Sequence, residues 1–163
     1  MDLQKSYTND SIDVNRSMES LDMYIESIPA RMKKFSVEEL LYRKQEGKWS
    51  RKEILGHLID SAVNNLKRFT EAQFSSLPYE VIRYQQDDLV VVNEYQQLPL
   101  EHLLNLWQAL NRQIVFVVRS MDEEKLNYPV DPRLSTGELK SLGWIIADYV
   151  SHMEHHFKQI FPE

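Results

Sequence analysis

The chain contains no cysteine. Disulfides and thiolate ligands are therefore excluded, any metal site must draw on His, Asp or Glu, and any reactive thiol must come from outside. Glycine and proline are scarce, at 4 and 6 residues, and the prolines fall between periodic stretches, as a helical protein requires because proline breaks the i to i−4 ladder. Nowhere is there a run of about 18 apolar residues to cross a membrane, and Met1 to Asn15 is polar, without the basic start and apolar stretch of a secretory signal. A cytoplasmic protein with no membrane partner is expected. Cationic charge is in deficit, with 19 Lys+Arg against 25 Asp+Glu and a net charge of −6. That balance argues against a nucleic-acid partner, which needs clustered cations to meet phosphate. The nearest basic grouping, Arg31, Lys33, Lys34, Arg43, Lys44, Lys48, Arg51 and Lys52, is interleaved with Glu38, Glu39, Glu46 and Glu53 and reads as a solvated face.

What the chain does have is apolar periodicity. Its 163 residues, 42% of them hydrophobic, fit one domain spanning 1–163. Met18, Leu21, Ile25 and Ile28 have helical spacing in a first helix expected from Ser11 to Ile28 and closed by Pro29. Ser36 with Glu39, and Ser50 with Glu53, form capping-box patterns; the second of these opens a helix whose stripe is Leu55, Leu58, Ala62, Leu66 and Phe69. Between Phe74 and Leu98 the helical period is lost, and Leu89-Val90-Val91-Val92, β-branched enough for a short extended piece, is read as part of a covering loop. A third helix starts near Pro99 and carries Leu100, Leu103, Trp107, Leu110, Ile114, Val117 and Met121. After a polar connection from Asp122 to Leu134, Ser135 and Glu138 suggest the cap of a last helix carrying Leu139, Leu142, Ile146, Val150, Met153, Phe157 and Ile160. Four such segments predict an all-α four-helix bundle, an architecture that builds metal and cofactor sites between facing helices.

Three of the five histidines lie in Ser151-His152-Met153-Glu154-His155-His156. A helix advances about 100° per residue, so His152 and His156 share one side, one turn apart, and can chelate a single ion, while His155 is turned toward solvent or an outer shell. A catalytic site of the zinc type wants three protein ligands and an open position. His57 is the natural third, in a helix where Gly56 would let a neighbouring helix approach closely; His102 reads as a surface group. On a helical wheel His57 lies about 130° from its own apolar stripe, and His152 and His156 flank theirs, which would place the site in a solvent-reachable groove at the side of the bundle. Spacing alone leaves open a second reading, in which these histidines are surface or packing groups with no ion.

The residues also match a known pattern. Lys48-Trp49-Ser50-Arg51-Lys52-Glu53-Ile54-Leu55-Gly56-His57-Leu58-Ile59-Asp60-Ser61, then Tyr84-Gln85-Gln86-Asp87-Asp88, then Gly143-Trp144 followed by His152-Met153-Glu154-His155-His156-Phe157, resemble the DinB/YfiT-like superfamily of metalloenzymes over about Ser11 to Phe161. The resemblance implies the same bundle, with a divalent metal on His57, His152 and His156. It leaves the activity open, because the family includes thiol-dependent S-transferases and isomerases beside members with no assigned reaction.

The leading expectation is a metal-dependent enzyme acting on a small molecule, with a thiol-dependent S-transferase acting on small electrophiles first in line. Since the chain lacks cysteine, the thiol would be an external low-molecular-weight one, and similar family members use bacillithiol or mycothiol. A metal-dependent hydrolase is the alternative, and a non-catalytic, stress-related metal-binding protein the third reading. Asp60 and Asp148, each within a turn of a proposed ligand, are candidate catalytic or imidazole-orienting groups, or ordinary helix-surface acids. Tyr84, Asp87, Asp88 and Tyr95 sit in the connection that would cover the site. Imidazole ligands suit zinc, nickel, iron and copper, with zinc and nickel foremost. A homodimer is expected from the surplus of apolar residues on the first and third helices.

Overall fold

The computed structural model describes residues 12–162. In chain order it contains α1 (Val14–Met32), α2 (Val37–Leu41), α3 (Arg51–Glu71), β1 (Tyr79–Glu80), α4 (Gln86–Val92), α5 (Leu100–Arg119), a 3-10 turn (Glu123–Asn127), β2 (Pro129–Asp131), β3 (Lys140–Ser141) and α6 (Leu142–Ile160). The four long helices form an all-α bundle: α1 packs on α5 and α6, and α3 packs on the same two. Leu21, Ile28, Leu55, Leu103, Trp107 and Met153 meet at its centre, each with 1% exposure or less. Among the described residues, no helix is long and apolar enough to cross a membrane.

Caps fix where the helices begin. Ser36 and Ser50 each accept from the backbone N–H three residues on, while Glu39 and Glu53 accept from the serine N–H groups in return. Helix α1 starts at the Asp13 cap, whose carboxylate accepts from the Arg16 N–H at 2.9 Å; Ser11, its expected start, lies outside the described residues. It does not stop before Pro29 but continues to Met32. Proline there removes the N–H that would bond the Ile25 carbonyl. The Gln108 amide of α5 donates to that carbonyl at 2.8 Å instead, so the helix carries on with no orphaned acceptor.

Two expectations fail in the connections. The stretch between Phe74 and Leu98 is not a plain loop: it holds β1 and the helix α4, which includes Leu89, Val90, Val91 and Val92. Of these four only Val90 is buried, which leaves too narrow an apolar stripe for the period to register. The last helix starts at Leu142 rather than near Ser135, because Ser141 is the residue whose hydroxyl accepts from the Trp144 N–H, at 3.1 Å. Residues 140–141 are instead drawn into a small sheet of order β1-β2-β3, in which β1 runs parallel to β2 and β2 antiparallel to β3. Tyr79 pairs with Val130, and Pro129 with Ser141. That sheet ties both connections to the start of α6.

Candidate metal centre

The start of α3 and the end of α6 lie side by side, fastened by Arg51: its Nε donates to the Ile160 carbonyl at 2.9 Å and its Nη1 to the Glu39 carbonyl at 3.0 Å. This brings His57, one and a half turns into α3, against the pair on the last turns of α6. His57 Nε2 lies 3.4 Å from His152 Nε2, and His156 Nε2 lies 3.1 Å from the same atom. One ring nitrogen from each of the three falls within 4.8 Å of the others. A tetrahedral ion with nitrogen ligands at about 2.0–2.1 Å sets its ligand atoms roughly 3.3 Å apart. The observed spacings bracket that value, so the donor set fits a divalent cation that accepts nitrogen. Among the described residues the cluster comprises these three side chains and no carboxylate.

Burial keeps the rings neutral, which is the form that can ligate. Desolvation first, and then the neighbouring imidazoles, lower the His57 pKa to about 3 and that of His152 to about 4. His156 is lowered by the same burial, partly offset by Gln159. The amide oxygen of Gln159 accepts from His156 Nδ1 at 2.8 Å, which puts the proton on Nδ1 and leaves the Nε2 lone pair facing the cluster. The same amide donates to the exposed His155 at 3.2 Å, so His155 stands outside the cluster, as its place on the helix implies. Trp49 covers the other side, its ring centroid 4.7 Å from that of His57. The sequence pattern assigns no role to Gln159 or to Trp49, although Trp49 stands in the motif around His57 and a Gln one turn after a chelating His is a signal that could have been used.

The expected open groove is replaced by something more enclosed. His57 is 1% exposed and His156 8%; α3 is buried at every residue from Lys52 to Ala62, so its apolar stripe is only one of its covered faces. The connection after α4 folds back over α3 there. Gly56 accommodates a side chain rather than a helix: a Cβ at Gly56 would sit 2.1 Å from the Tyr95 ring. Among the described residues, two cavities reach the histidines. A larger one of about 620 Å³ touches His156 and is lined by Trp49, Lys44, Lys48, Arg51 and Asp87 among others. A smaller one of about 220 Å³ touches His152 and takes in Arg68, Tyr84, Trp144 and Asp148.

The two aspartates occupy different settings. Asp60 is buried, and its Oδ1 accepts from the Tyr95 hydroxyl at 2.6 Å and from the Asn93 amide at 3.2 Å. Burial raises its pKa against the opposing pull of the tyrosine. Its Oδ2 and the Nδ1 of His57 are both buried without a hydrogen-bond partner, so the structure places no bond between this carboxylate and that imidazole. Asp148, one turn before His152, is exposed overall but shares the smaller cavity with it, and the protein around its carboxyl raises its pKa by withholding solvent. His102 is exposed on α5, far in sequence from the cluster and outside it. Of the covering residues, Tyr84 and Asp87 line the two cavities, Tyr95 packs on α3, and Asp88 is exposed.

The sequence model of the DinB superfamily matches residues 21–160. The chain belongs to the DinB superfamily. An Oceanobacillus iheyensis protein named "Putative metal-dependent hydrolase OB0413" is 24% identical over 148 residues, which are 91% of this chain and 83% of that one. Among solved structures, YfiT from Bacillus subtilis, described as "a probable metal-dependent hydrolase with an unusual four-helix bundle topology", superposes with a TM-score of 0.75 at 21% identity, covering 98% of this chain and 94% of its own. The mycothiol-dependent maleylpyruvate isomerase superposes with a TM-score of 0.61 at 14% identity, over 89% of this chain and 60% of that one. At these identities the superpositions establish the DinB fold, a four-helix bundle.

Proposed function

We propose that this DinB protein is a metal-dependent enzyme acting on a small molecule, with His57, His152 and His156 holding one divalent cation, zinc or nickel foremost. The observation that carries the reading is the meeting of three Nε2 atoms from α3 and α6 at 3.1–3.4 Å about His152. A cation held by these three imidazoles would supply Lewis acidity there, the means of making a nucleophile available near neutral pH. Three protein ligands among the described residues suit a working centre better than a structural one, which is closed by four.

The chain's own residues supply the rest. Gln159 holds His156 in the ligating tautomer, Trp49 shields His57 from water, and Asp60 anchors the Tyr95 cover through its 2.6 Å bond. Asp60 thereby acts as a positioning residue. Asp148, in the cavity on the His152 side with its pKa raised, is the candidate general base for a substrate seated there.

The names of the relatives favour hydrolysis. A thiol-dependent transfer is the second reading, supported by a separate observation: the larger cavity, on the His156 side, has room for a second molecule and carries Lys44, Lys48, Arg51 and Lys158 against Asp87. With no cysteine in the chain, such a thiol is external. Zinc-loaded protein given p-nitrophenyl acetate and, separately, 1-chloro-2,4-dinitrobenzene, each with and without a low-molecular-weight thiol, separates the readings. Ester turnover without thiol identifies a hydrolase, and turnover that requires thiol identifies a transferase. Metal bound with no turnover in either series would contradict an enzymatic role.

A further inference from the structure

Arg68 is a cation with an unusual setting. It lies on α3 three turns beyond His57 and lines the cavity that touches His152. Burial lowers its pKa, and among the described residues no carboxylate pairs with it. Its guanidinium is nevertheless held in place: Nη2 donates to the Ile82 carbonyl at 2.9 Å, Nη1 to the Asn65 side-chain oxygen at 3.4 Å, and the Tyr84 ring lies 5.5 Å beneath it. A guanidinium has five N–H donors, of which these bonds use two. A half-buried charge left unpaired is costly, and a carboxylate meeting a planar fork recovers that cost through paired, charge-assisted bonds.

We infer that the cavity between Arg68 and His152 is a substrate subsite of the centre and takes small molecules bearing a carboxylate, with the carboxylate on the Arg68 fork. The space of about 220 Å³ admits one compact molecule. Its walls include the aromatic faces of Tyr84 and Trp144, which suit a flat or short apolar body between the anion and the histidines. Asp148 lines the same space, while the Arg68 guanidinium bonds Asn65 and Ile82 rather than this carboxylate, so Asp148 leaves the fork free and repels a second anionic group from its own side. The preferred ligand therefore carries one carboxylate and an uncharged remainder directed at His152. Its role as substrate rests on the reading of the histidines as a metal site; its binding does not.

The test uses metal-free protein freed of chelator, titrated with benzoate and with its uncharged isostere benzamide. Binding is read on the Trp144 indole N–H resonance, assigned by its loss in Trp144→Phe. Benzoate is expected to shift that resonance saturably and to bind roughly tenfold or more tightly than benzamide, the worth of a charge-assisted hydrogen bond. Arg68→Gln is expected to erase the difference. Because that variant also loses the bond to the Ile82 carbonyl, a second variant, Leu134→Trp, narrows the cavity from an exposed loop and is expected to weaken benzoate about fivefold or more. Equal binding of both probes by the wild type, no binding of either, or full-strength benzoate binding by whichever variants fold would overturn the inference. Zinc affinity measured on the same Arg68→Gln protein is expected to be unchanged. Loss of zinc binding in the wild type with benzoate discrimination intact would defeat the metal reading and leave the anion subsite standing.

Discussion

At the scale of single residues, the centre depends on which nitrogen of each imidazole carries its proton. Gln159 decides this for His156 by accepting from Nδ1 at 2.8 Å. Gln159→Leu keeps the size and removes the acceptor, so Nε2 is protonated part of the time. Zinc affinity is expected to fall about 10- to 100-fold, with little change in the urea midpoint because the side chain is exposed; a chromophoric-chelator competition measures it. Protonation gives a second prediction. His57 and His152 have folded pKa values of about 3 and about 4, below the ordinary 6.5. Well above pH 6.5 both folded and unfolded chains hold these rings neutral, and stability does not depend on their titration. As pH falls below 6.5 the unfolded chain takes up protons that the fold refuses, so metal-free protein loses stability progressively down toward pH 4. His57→Gln with His152→Gln should flatten that slope in urea titrations run between pH 7 and pH 4.5. An unchanged slope would mean that the rings are not held neutral by burial.

At the scale of elements, the cover over α3 depends on one missing side chain. Gly56→Ala would place a Cβ 2.1 Å from the Tyr95 ring, displacing the tyrosine and stripping its hydroxyl from buried Asp60. A cost of about 2–4 kcal/mol in urea unfolding is expected, from overpacking and an unpaired buried carboxylate together. The cap of α6 offers a cleaner contrast. Ser141→Ala should cost about 1 kcal/mol, whereas Ser135→Ala, at the exposed turn where the sequence pattern also suggests a cap, should cost nothing measurable. This pair shows what was legible. Ser50 and Glu53 could be read directly, because a capping box is local chemistry within four residues. Ser135 and Glu138 carry the same letters, but Lys140 and Ser141 pair with the strand at 129–131, and no local pattern discloses a partner so far away. The run Leu89 to Val92 failed for a related reason: it is a helix of seven residues with one buried position, too short for a period to show. The burial of His57 was hidden likewise, since the rings packed on it include those of His152 and His156, from the far end of the chain.

At the scale of the whole molecule, the DinB bundle brings the beginning of α3 to the end of α6 and leaves a cavity on each side of the histidines. The His152–His156 spacing was visible in the sequence because it lies within one turn. The meeting with His57, 95 residues away, depends on the bundle closing. A cation bridging the two helices would bind the folded chain alone, so zinc at one hundred times its Kd should add about 2.7 kcal/mol, a rise in Tm of roughly 5–10 °C for a chain of this size. The most direct measurement is calorimetric titration of zinc into metal-free wild-type protein and into His57→Ala. One zinc per chain is expected for the wild type, and binding at least about 100-fold weaker when the α3 imidazole is gone. A stoichiometry near zero, or a His57→Ala variant that binds zinc as tightly as the wild type, would contradict the three-histidine site.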